Sequence, residues 1–212
     1  MAGTSLDPSQ ARRLAIHAQA LDGTARDVLD VVRRLGRIQI DPTSRVAPSQ
    51  LLVLWSRLGP YDPSDLDRLL WHERALFENS AFIFPVEDFP LVQARMRGFP
   101  RGETAWPRRV RAWLEVNAAF RRYVLRELER RGPLRSDELE DRSVEPWRST
   151  GWTHDRNVTQ MLEFLSAQGR LLVARRERSR RFWDLAERVL PAAVVRARPL
   201  GEREAARRIA ER

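Results

Sequence analysis

The sequence predicts a mainly α-helical protein with short β-hairpins. Apolar residues recur at the spacing of amphipathic helices through most of the chain, whereas strand-like runs are few and short. Glycine and proline stand where the helical patterns stop, at Gly36, Gly59-Pro60 and Gly132-Pro133. With 212 residues, 42% hydrophobic composition and seven tryptophans, the chain can bury a core and form one or two domains.

Three short helices are predicted at the start of the chain. Asp7-Pro8 opens the first helix, and Thr24 is the expected N-cap of the second helix, which ends at Gly36. The third helix has Pro48 in its first turn and ends at Gly59-Pro60. Three short helices in succession indicate a helix-turn-helix core.

A fourth helix and a hairpin complete the predicted first half. The helix is expected over residues 65–71, and the apolar residues within 76–84 predict a short hairpin or wing. We therefore expect a first winged-helix-like domain in residues 1–100.

The second half repeats this plan more clearly. A long helix ends at Gly132-Pro133, a short helix begins at Ser136, and a third helix ends at Gly169. Two strands follow, in residues 170–174 and 181–185. Helix, helix, helix and hairpin form a winged helix, so the whole chain predicts a tandem winged-helix architecture.

The second winged helix is expected to occupy residues 101–192. A further helix begins near Gly201-Glu202, in residues 193–212, where a C-terminal segment is expected to start.

The net charge of +9 is confined to the second half of the chain. Residues 1–99 hold 12 arginines and 12 acidic residues, whereas residues 100–212 hold 26 arginines and 17 acidic residues. A basic half indicates a polyanionic partner such as DNA, because each neutralised phosphate releases counterions. A solvated arginine-rich face is the alternative.

The predicted wing carries much of this charge. Residues 170–183 hold six arginines against Glu177 alone, with a charged turn over 175–180, so the wing should lie on phosphates. The preceding helix, expected to begin near His154, should face base edges or phosphates, unless it is a solvated polar face. The predicted DNA contacts are Arg45, Arg156, Asn157, Gln160, Arg175, Arg176, Arg178, Arg180 and Arg181.

The composition also excludes several kinds of chemistry. The chain has no cysteine, and its three histidines are scattered, so we expect no structural metal, no iron–sulfur cluster and no cofactor. All 38 basic side chains are arginine, so no lysine amine is present. No apolar run of about 18 residues and no signal peptide is present, which predicts a cytoplasmic protein.

The triplet Gln39-Ile40-Asp41 is the strongest candidate for a functional pair of polar side chains. Pro42 disfavours the helical conformation at Asp41, and an extended triplet places Gln39 and Asp41 on one face with Ile40 turned into the core. A carboxamide and a carboxylate so placed can orient a water and stabilise a nearby positive charge. A polar strand end followed by a turn is the alternative.

Several segments, taken together, resemble the winged-helix DNA glycosylases of the YcaQ/AlkZ type. Their order and spacing make the resemblance more specific than the triplet alone, and it spans most of the chain. The matching segments are Leu35-Gly36-Arg37-Ile38-Gln39-Ile40-Asp41, Leu54-Trp55-Ser56-Arg57-Leu58-Gly59-Pro60-Tyr61-Asp62, Leu76-Phe77-Glu78 and Pro85-Val86-Glu87-Asp88-Phe89-Pro90-Leu91.

The resemblance implies a function and a site. Members of this family remove N7-alkylated guanines and unhook interstrand crosslinks, and their catalytic motif, Gln-aliphatic-Gln or Gln-aliphatic-Asp, matches Gln39 and Asp41. The implied partner is double-stranded DNA with alkylated guanine or crosslinks, bound by a monomer associated with the nucleoid. Because a bifunctional glycosylase needs an amine for its Schiff base, the absence of lysine predicts a monofunctional enzyme.

Two segments depart from the family pattern. Pro48-Ser49-Gln50 stands where members usually carry Arg-small-His, and Glu78-Asn79-Ser80-Ala81-Phe82 stands where they show Glu-Tyr-Trp followed by a histidine. Two histidines and an arginine are therefore absent. The family is also longer, so the resemblance implies that the C-terminal segment starting at residues 193–212 is truncated or that the chain is a reduced member. A non-enzymatic DNA-binding regulator and an inactive glycosylase relative are the alternatives to an active enzyme.

Overall fold

The computed structural model describes residues 5–41, 43, 45–148 and 156–211. Over these residues the protein is mainly helical with small antiparallel sheets, as predicted. The longer helices are α1 (Pro8–Ala18), α2 (Val28–Leu35), α3 (Ser49–Leu58), α5 (Phe89–Met96), α6 (Ala105–Val116), α7 (Ala118–Arg131), α8 (Asn157–Ala167) and α11 (Glu202–Ala210). Single-turn helices are α4 (Ser64–Asp67), α9 (Ala186–Val189) and α10 (Ala192–Val195). The strands are β1 (Ile38–Gln39), β2 (Leu76–Asn79), β3 (Phe82–Pro85), β4 (Leu171–Glu177) and β5 (Arg180–Leu185).

The chain forms two compact units. The first unit comprises Met1–Leu76 and Ala81–Pro85, and the second comprises Phe77–Ser80 and Val86–Arg212. The tandem winged-helix arrangement and the boundaries near residues 100 and 192 stay predictions. In the part of the chain that the structure describes, no helix is long and apolar enough to cross a membrane.

Local caps explain where the first helices begin. Asp7 accepts hydrogen bonds from the backbone of Ser9 and Gln10, and the Gln10 side chain accepts one from the Asp7 backbone, which is a complete capping box. This confirms the predicted start of α1. None of the residues of α1 is buried, so the helix depends on its cap more than on packing.

The predicted N-cap of α2 is wrong. Asp27, not Thr24, caps this helix by accepting the Asp30 backbone N–H at 2.8 Å. The Thr24 hydroxyl instead donates to Asp22 at 2.7 Å, within the loop before the helix. The predicted end is confirmed, since Gly36 adopts the left-handed conformation with φ 72° that a helix C-terminus commonly needs.

The core of the first unit lies between its helices and strands. It buries one face of α2, the centre of α3, and the facing residues of β1 and β3. Strand β1 pairs antiparallel with β3, with Ile38 opposite Ile83 and Gln39 opposite Phe82. Its buried residues are Val28, Val31, Val32, Ile38, Leu54, Leu66, Leu69, Leu70, Leu76 and Ile83.

The second unit is built on α6, α7, α8 and the β4–β5 hairpin. Three aromatic rings meet edge to face in its core, with centroids 5.6 Å apart for Trp113 and Trp147 and 5.0 Å apart for Trp147 and Phe164. The predicted hairpin is confirmed, but its turn is shorter than the predicted 175–180. The strands continue to Glu177 and resume at Arg180, so several charged residues lie in the strands themselves.

A buried ion pair joins two distant parts of the second unit. Arg176 of β4 donates through Nε and Nη2 to the two carboxylate oxygens of Glu78, each at 2.6 Å. The Glu78 side chain is 1% exposed and the Arg176 side chain 25%. Because the geometry is bidentate and the carboxylate is out of water, each partner depends on the other for its solvation.

Replacing Glu78 by alanine should therefore destabilise the protein strongly, since it leaves the Arg176 guanidinium partly buried without its counter-charge. We expect Glu78→Ala to lower the free energy of unfolding by about 3–5 kcal/mol in chemical denaturation. The exposed pair of Glu204 and Arg208 on α11 is the control, because Glu204→Ala should cost under about 1 kcal/mol. Equal losses in the two variants would contradict the structural role of Glu78.

Candidate functional site

Strand β1 contains Gln39, and Ile40 and Asp41 follow it directly. Ile38 is buried, Gln39 is exposed, and Ile40 packs against the core of the first unit. The backbone N–H of Ile40 donates to the Ala81 carbonyl at 2.8 Å, which continues the pairing with β3 by one residue. Gln39 faces away from this core, and alternation along an extended chain predicts the same side for Asp41, which is half-buried.

The hydroxyl of Ser49 holds the triplet in place from the start of α3. Its Oγ donates to the Gln39 carbonyl at 3.2 Å and accepts the backbone N–H of Asp41 at 3.0 Å. These two bonds fix the main chain on both sides of Ile40. Sequence reasoning did not identify Ser49, which it noted only as part of a departure from a family pattern.

The Asp41 carboxylate is fixed by the residue two positions later. The backbone N–H of Thr43 donates to Asp41 Oδ1 at 2.8 Å. Hydrogen bonds from Thr43, first from its backbone and then from its side chain, lower the pKa of the Asp41 carboxyl below that of an ordinary aspartate. The group is therefore negatively charged at neutral pH while it remains partly exposed.

A hydrogen bond from the backbone N–H two residues later to an aspartate occurs at two other positions. These positions show whether the bond at Asp41 has a purely structural role. Asp-Pro-Ser turns at Asp7 and Asp62 have the same bond, from Ser9 to Asp7 Oδ1 at 2.8 Å and from Ser64 to Asp62 Oδ1 at 2.9 Å. In those two cases a helix begins within two residues of the aspartate. No helix begins among the described residues between Asp41 and Ser49, so helix initiation does not explain the third turn.

The Gln39 carboxamide extends from the same face. It is exposed and has no hydrogen-bond partner among the residues that the structure describes. Gln39 and Asp41 thus place a neutral dipole and a carboxylate two residues apart on one exposed face, held by backbone bonds to Ala81 and Ser49.

Most arginines of the predicted wing already have partners within the second unit. Arg176 pairs with Glu78, Arg181 with Glu163, and Arg175 with Glu177. Arg180 lies 3.8 Å from Asp137, and both side chains are more than half exposed. The wing is therefore much less basic than its arginine count suggests.

Two wing arginines are exceptions, since Arg170 and Arg178 are both exposed and have no side-chain partner within the described ranges. Arg178 occupies the tip of the hairpin, whereas Arg170 directly precedes β4. Arg45 of the first unit is also exposed. Arg178 and Arg180 are the wing residues best placed to reach a phosphate.

The start of α8 also differs from the predicted surface for contacts with DNA bases. His154 lies outside the described residues, and the helix begins at Asn157, directly after the exposed Arg156. Asn157 is buried, with Oδ1 accepting the Trp147 backbone N–H and Nδ2 donating to Asp141, each at 2.7 Å. Gln160 is buried as well. Both side chains lie in the interior of the unit. Their burial gives no support to the predicted contacts with DNA bases.

Within residues 5–41, 43, 45–148 and 156–211, no three histidine, aspartate or glutamate side chains lie close enough together to hold a metal ion.

Comparison with known proteins places the chain in a class that acts on DNA. Residues 32–212 match the family described as DNA glycosylase AlkZ-like, a range that contains the triplet, Ser49 and the β4–β5 hairpin. The chain belongs to the AlkZ-like DNA glycosylase family. Membership implies a DNA substrate. No solved structure matches the chain.

The pKa of Asp41 gives a direct check of the site geometry. Thr43→Val removes the side-chain hydrogen bond and keeps the backbone one, so the pKa should rise toward, but not reach, the ordinary aspartate value. The carboxyl carbon of Asp41, followed by NMR during an acid titration, reports this shift. An Asp41 carboxyl that already titrates at the ordinary value in the unmodified protein would contradict the geometry.

Proposed function

We propose that this chain is a monofunctional DNA glycosylase that hydrolyses the N-glycosidic bond of N7-alkylated guanine and unhooks interstrand crosslinks. The observation that carries the proposal is the ionised Asp41 carboxylate, fixed beside Gln39 on an exposed face, in a member of the AlkZ-like family. The sequence resemblance to enzymes with a Gln-aliphatic-Asp motif supports the same assignment.

The chemistry of the substrate explains why one carboxylate is sufficient to catalyse breakage of the glycosidic bond. Alkylation at N7 makes guanine positively charged, so the base leaves readily and needs little acid catalysis. As the glycosidic bond breaks, positive charge develops on the deoxyribose. Asp41, which is ionised at neutral pH, stabilises that charge and accepts a proton from the attacking water.

Gln39 has a complementary role in this proposal. Its carboxamide is exposed on the same face and free to orient the water or to contact the sugar and phosphate. Ser49 fixes the backbone at both residues and Thr43 fixes the Asp41 carboxylate, so the charge is held in place before the substrate arrives, while the carboxamide turns about a fixed backbone position.

The product should be an abasic site. A glycosylase that also cuts the strand forms a Schiff base with the deoxyribose through an amine, and with no lysine the chain offers only its N-terminal amine. Strand cleavage should appear only after treatment with alkali or heat.

A non-enzymatic DNA-binding protein is the second candidate. The positive charge of residues 100–212 and the exposed Arg178 at the hairpin tip favour it, because both serve phosphate binding equally well without catalysis. It gives no role to a carboxylate held on an exposed face of the first unit.

Asp41→Asn tests the proposal with little disturbance of the structure, because asparagine can make the same turn but carries no charge. We expect the release of N7-methylguanine to fall by at least about 100-fold, while affinity for undamaged DNA changes less than about twofold. The measurement is alkali-dependent cleavage of a duplex with one N7-methylguanine, alongside a binding titration.

Asp62→Asn is the matched control. Asp62 precedes proline, accepts the same backbone bond, and has its pKa lowered by the same kind of contact, in this case from Ser64. Its replacement should leave base release unchanged. Normal excision by Asp41→Asn would refute the catalytic assignment, and an inactive unmodified protein would favour the second candidate.

The hairpin tip can be tested through salt dependence. Replacing both Arg178 and Arg180 by alanine should reduce the slope of log affinity against log salt by about 0.9 for each phosphate that the protein no longer neutralises. Replacement of Arg12 and Arg13, which are exposed on α1, should leave the slope unchanged. If the slope is the same in both double variants, phosphate binding lies elsewhere on the protein.

A further inference from the structure

Phe82 lies on the same face as the candidate catalytic pair. It is directly opposite Gln39 in the antiparallel pairing of β1 with β3. Side chains at opposed positions project to the same side of a sheet, with Cβ atoms about 4.5–5.5 Å apart. The half-buried Phe82 ring therefore borders the surface that Gln39 and Asp41 share.

The ring already holds a cation. Arg37, two residues before Gln39, places its guanidinium carbon 4.8 Å from the centroid of the Phe82 ring. A cation at this distance over an aromatic face is attracted by the electron density of the ring. The Phe82 ring face thus has both the exposure and the geometry to bind a planar positive group.

Arg37 is free to leave this position. Its contact with Phe82 is the one interaction recorded for its side chain within the described part of the chain, and the residue is exposed. A guanidinium without an ion-pair partner returns to water without leaving a buried charge behind. An incoming planar cation can therefore take its place on the ring.

We propose that the Phe82 ring is the wall that binds the positively charged base of the substrate, with Arg37 as the resident cation that the base displaces. This inference rests on the proposed function, because an N7-alkylated guanine is a planar cation and the neutral base is not. Phe82 then contacts the base, while Asp41 lies beside the sugar of the same nucleotide. The ring selects for the charge of the lesion and not for its alkyl group.

Two duplexes that differ in charge at one base test the proposal by binding alone. One carries N7-methylguanine on a 2′-fluorinated sugar that resists hydrolysis, and the other carries neutral 7-methyl-7-deazaguanine on the same sugar. We expect the unmodified protein to bind the cationic duplex about 3- to 30-fold more tightly than the neutral one. Phe82→Leu should reduce this ratio to about one, with affinity for the neutral duplex unchanged.

Two further variants make the result specific. Phe82→Trp keeps an aromatic face and should preserve or increase the ratio. Phe84→Leu removes the neighbouring ring of β3, whose centroid lies 6.2 Å from that of Phe82, and should keep the unmodified ratio because the cationic base contacts Phe82 itself. A Phe82→Leu protein with the full preference, or an unmodified protein with none, would overturn the proposal.

The outcome is separable from that of the catalytic assignment. If the unmodified protein releases N7-methylguanine and Asp41→Asn does not, the proposed function stands whatever the Phe82 variants show. Loss of the charge preference in Phe82→Leu supports the ring as the base-binding wall, and retention of that preference rejects it.

Discussion

The hydroxyl of Ser49 is the contact on which the geometry of the candidate site depends. It bonds the backbone of Gln39 and of Asp41 at once, and so ties a two-residue strand to the first residue of α3. A strand this short has little pairing of its own, since β3 supplies only its two opposed residues and one further bond. Without a second anchor the polar face of the triplet would have no fixed direction. With it, the core under Ile38 and Ile40 determines where the dipole and the carboxylate face.

The two units manage charge in different ways. In the first unit, the site carboxylate is stabilised by backbone and hydroxyl donors and not by an arginine, so its negative charge remains available to a developing cation. In the second unit, much of the positive charge is neutralised by internal ion pairs. Glu78 and Glu163 pair with arginines that were predicted from the sequence to bind DNA. A positive net charge therefore indicates the kind of partner more reliably than it identifies the residues that touch it.

Signals from neighbouring residues in the sequence were sufficient to predict much of the fold. The cap at Asp7, the left-handed Gly36 and the alternation of Ile38, Gln39 and Ile40 all follow from neighbouring residues, and the structure confirms them. Longer-range contacts were not predictable in this way. Glu78 and Arg176 are 98 residues apart, and the bonds from Ser49 to the triplet span 8 and 10 residues. The N-cap at Asp27 was missed because Thr24 is an equally acceptable cap by type, and only its bond to Asp22 shows that it is used elsewhere.

At the tip of the β4–β5 hairpin, the residue that would best stabilise the turn differs from the charged residue that is present. Arg178 adopts a φ of 56°, in the left-handed region, which costs an ordinary residue roughly 1–2 kcal/mol and which glycine adopts freely. Two-residue hairpin loops with this conformation at their first position usually have glycine there. A substitution that relaxed the backbone at this point would also remove the exposed arginine at the hairpin tip, which has no partner within the described residues. Thermal stability is thus a poor guide for engineering this turn, because the most stable loop would be the one least able to hold a phosphate.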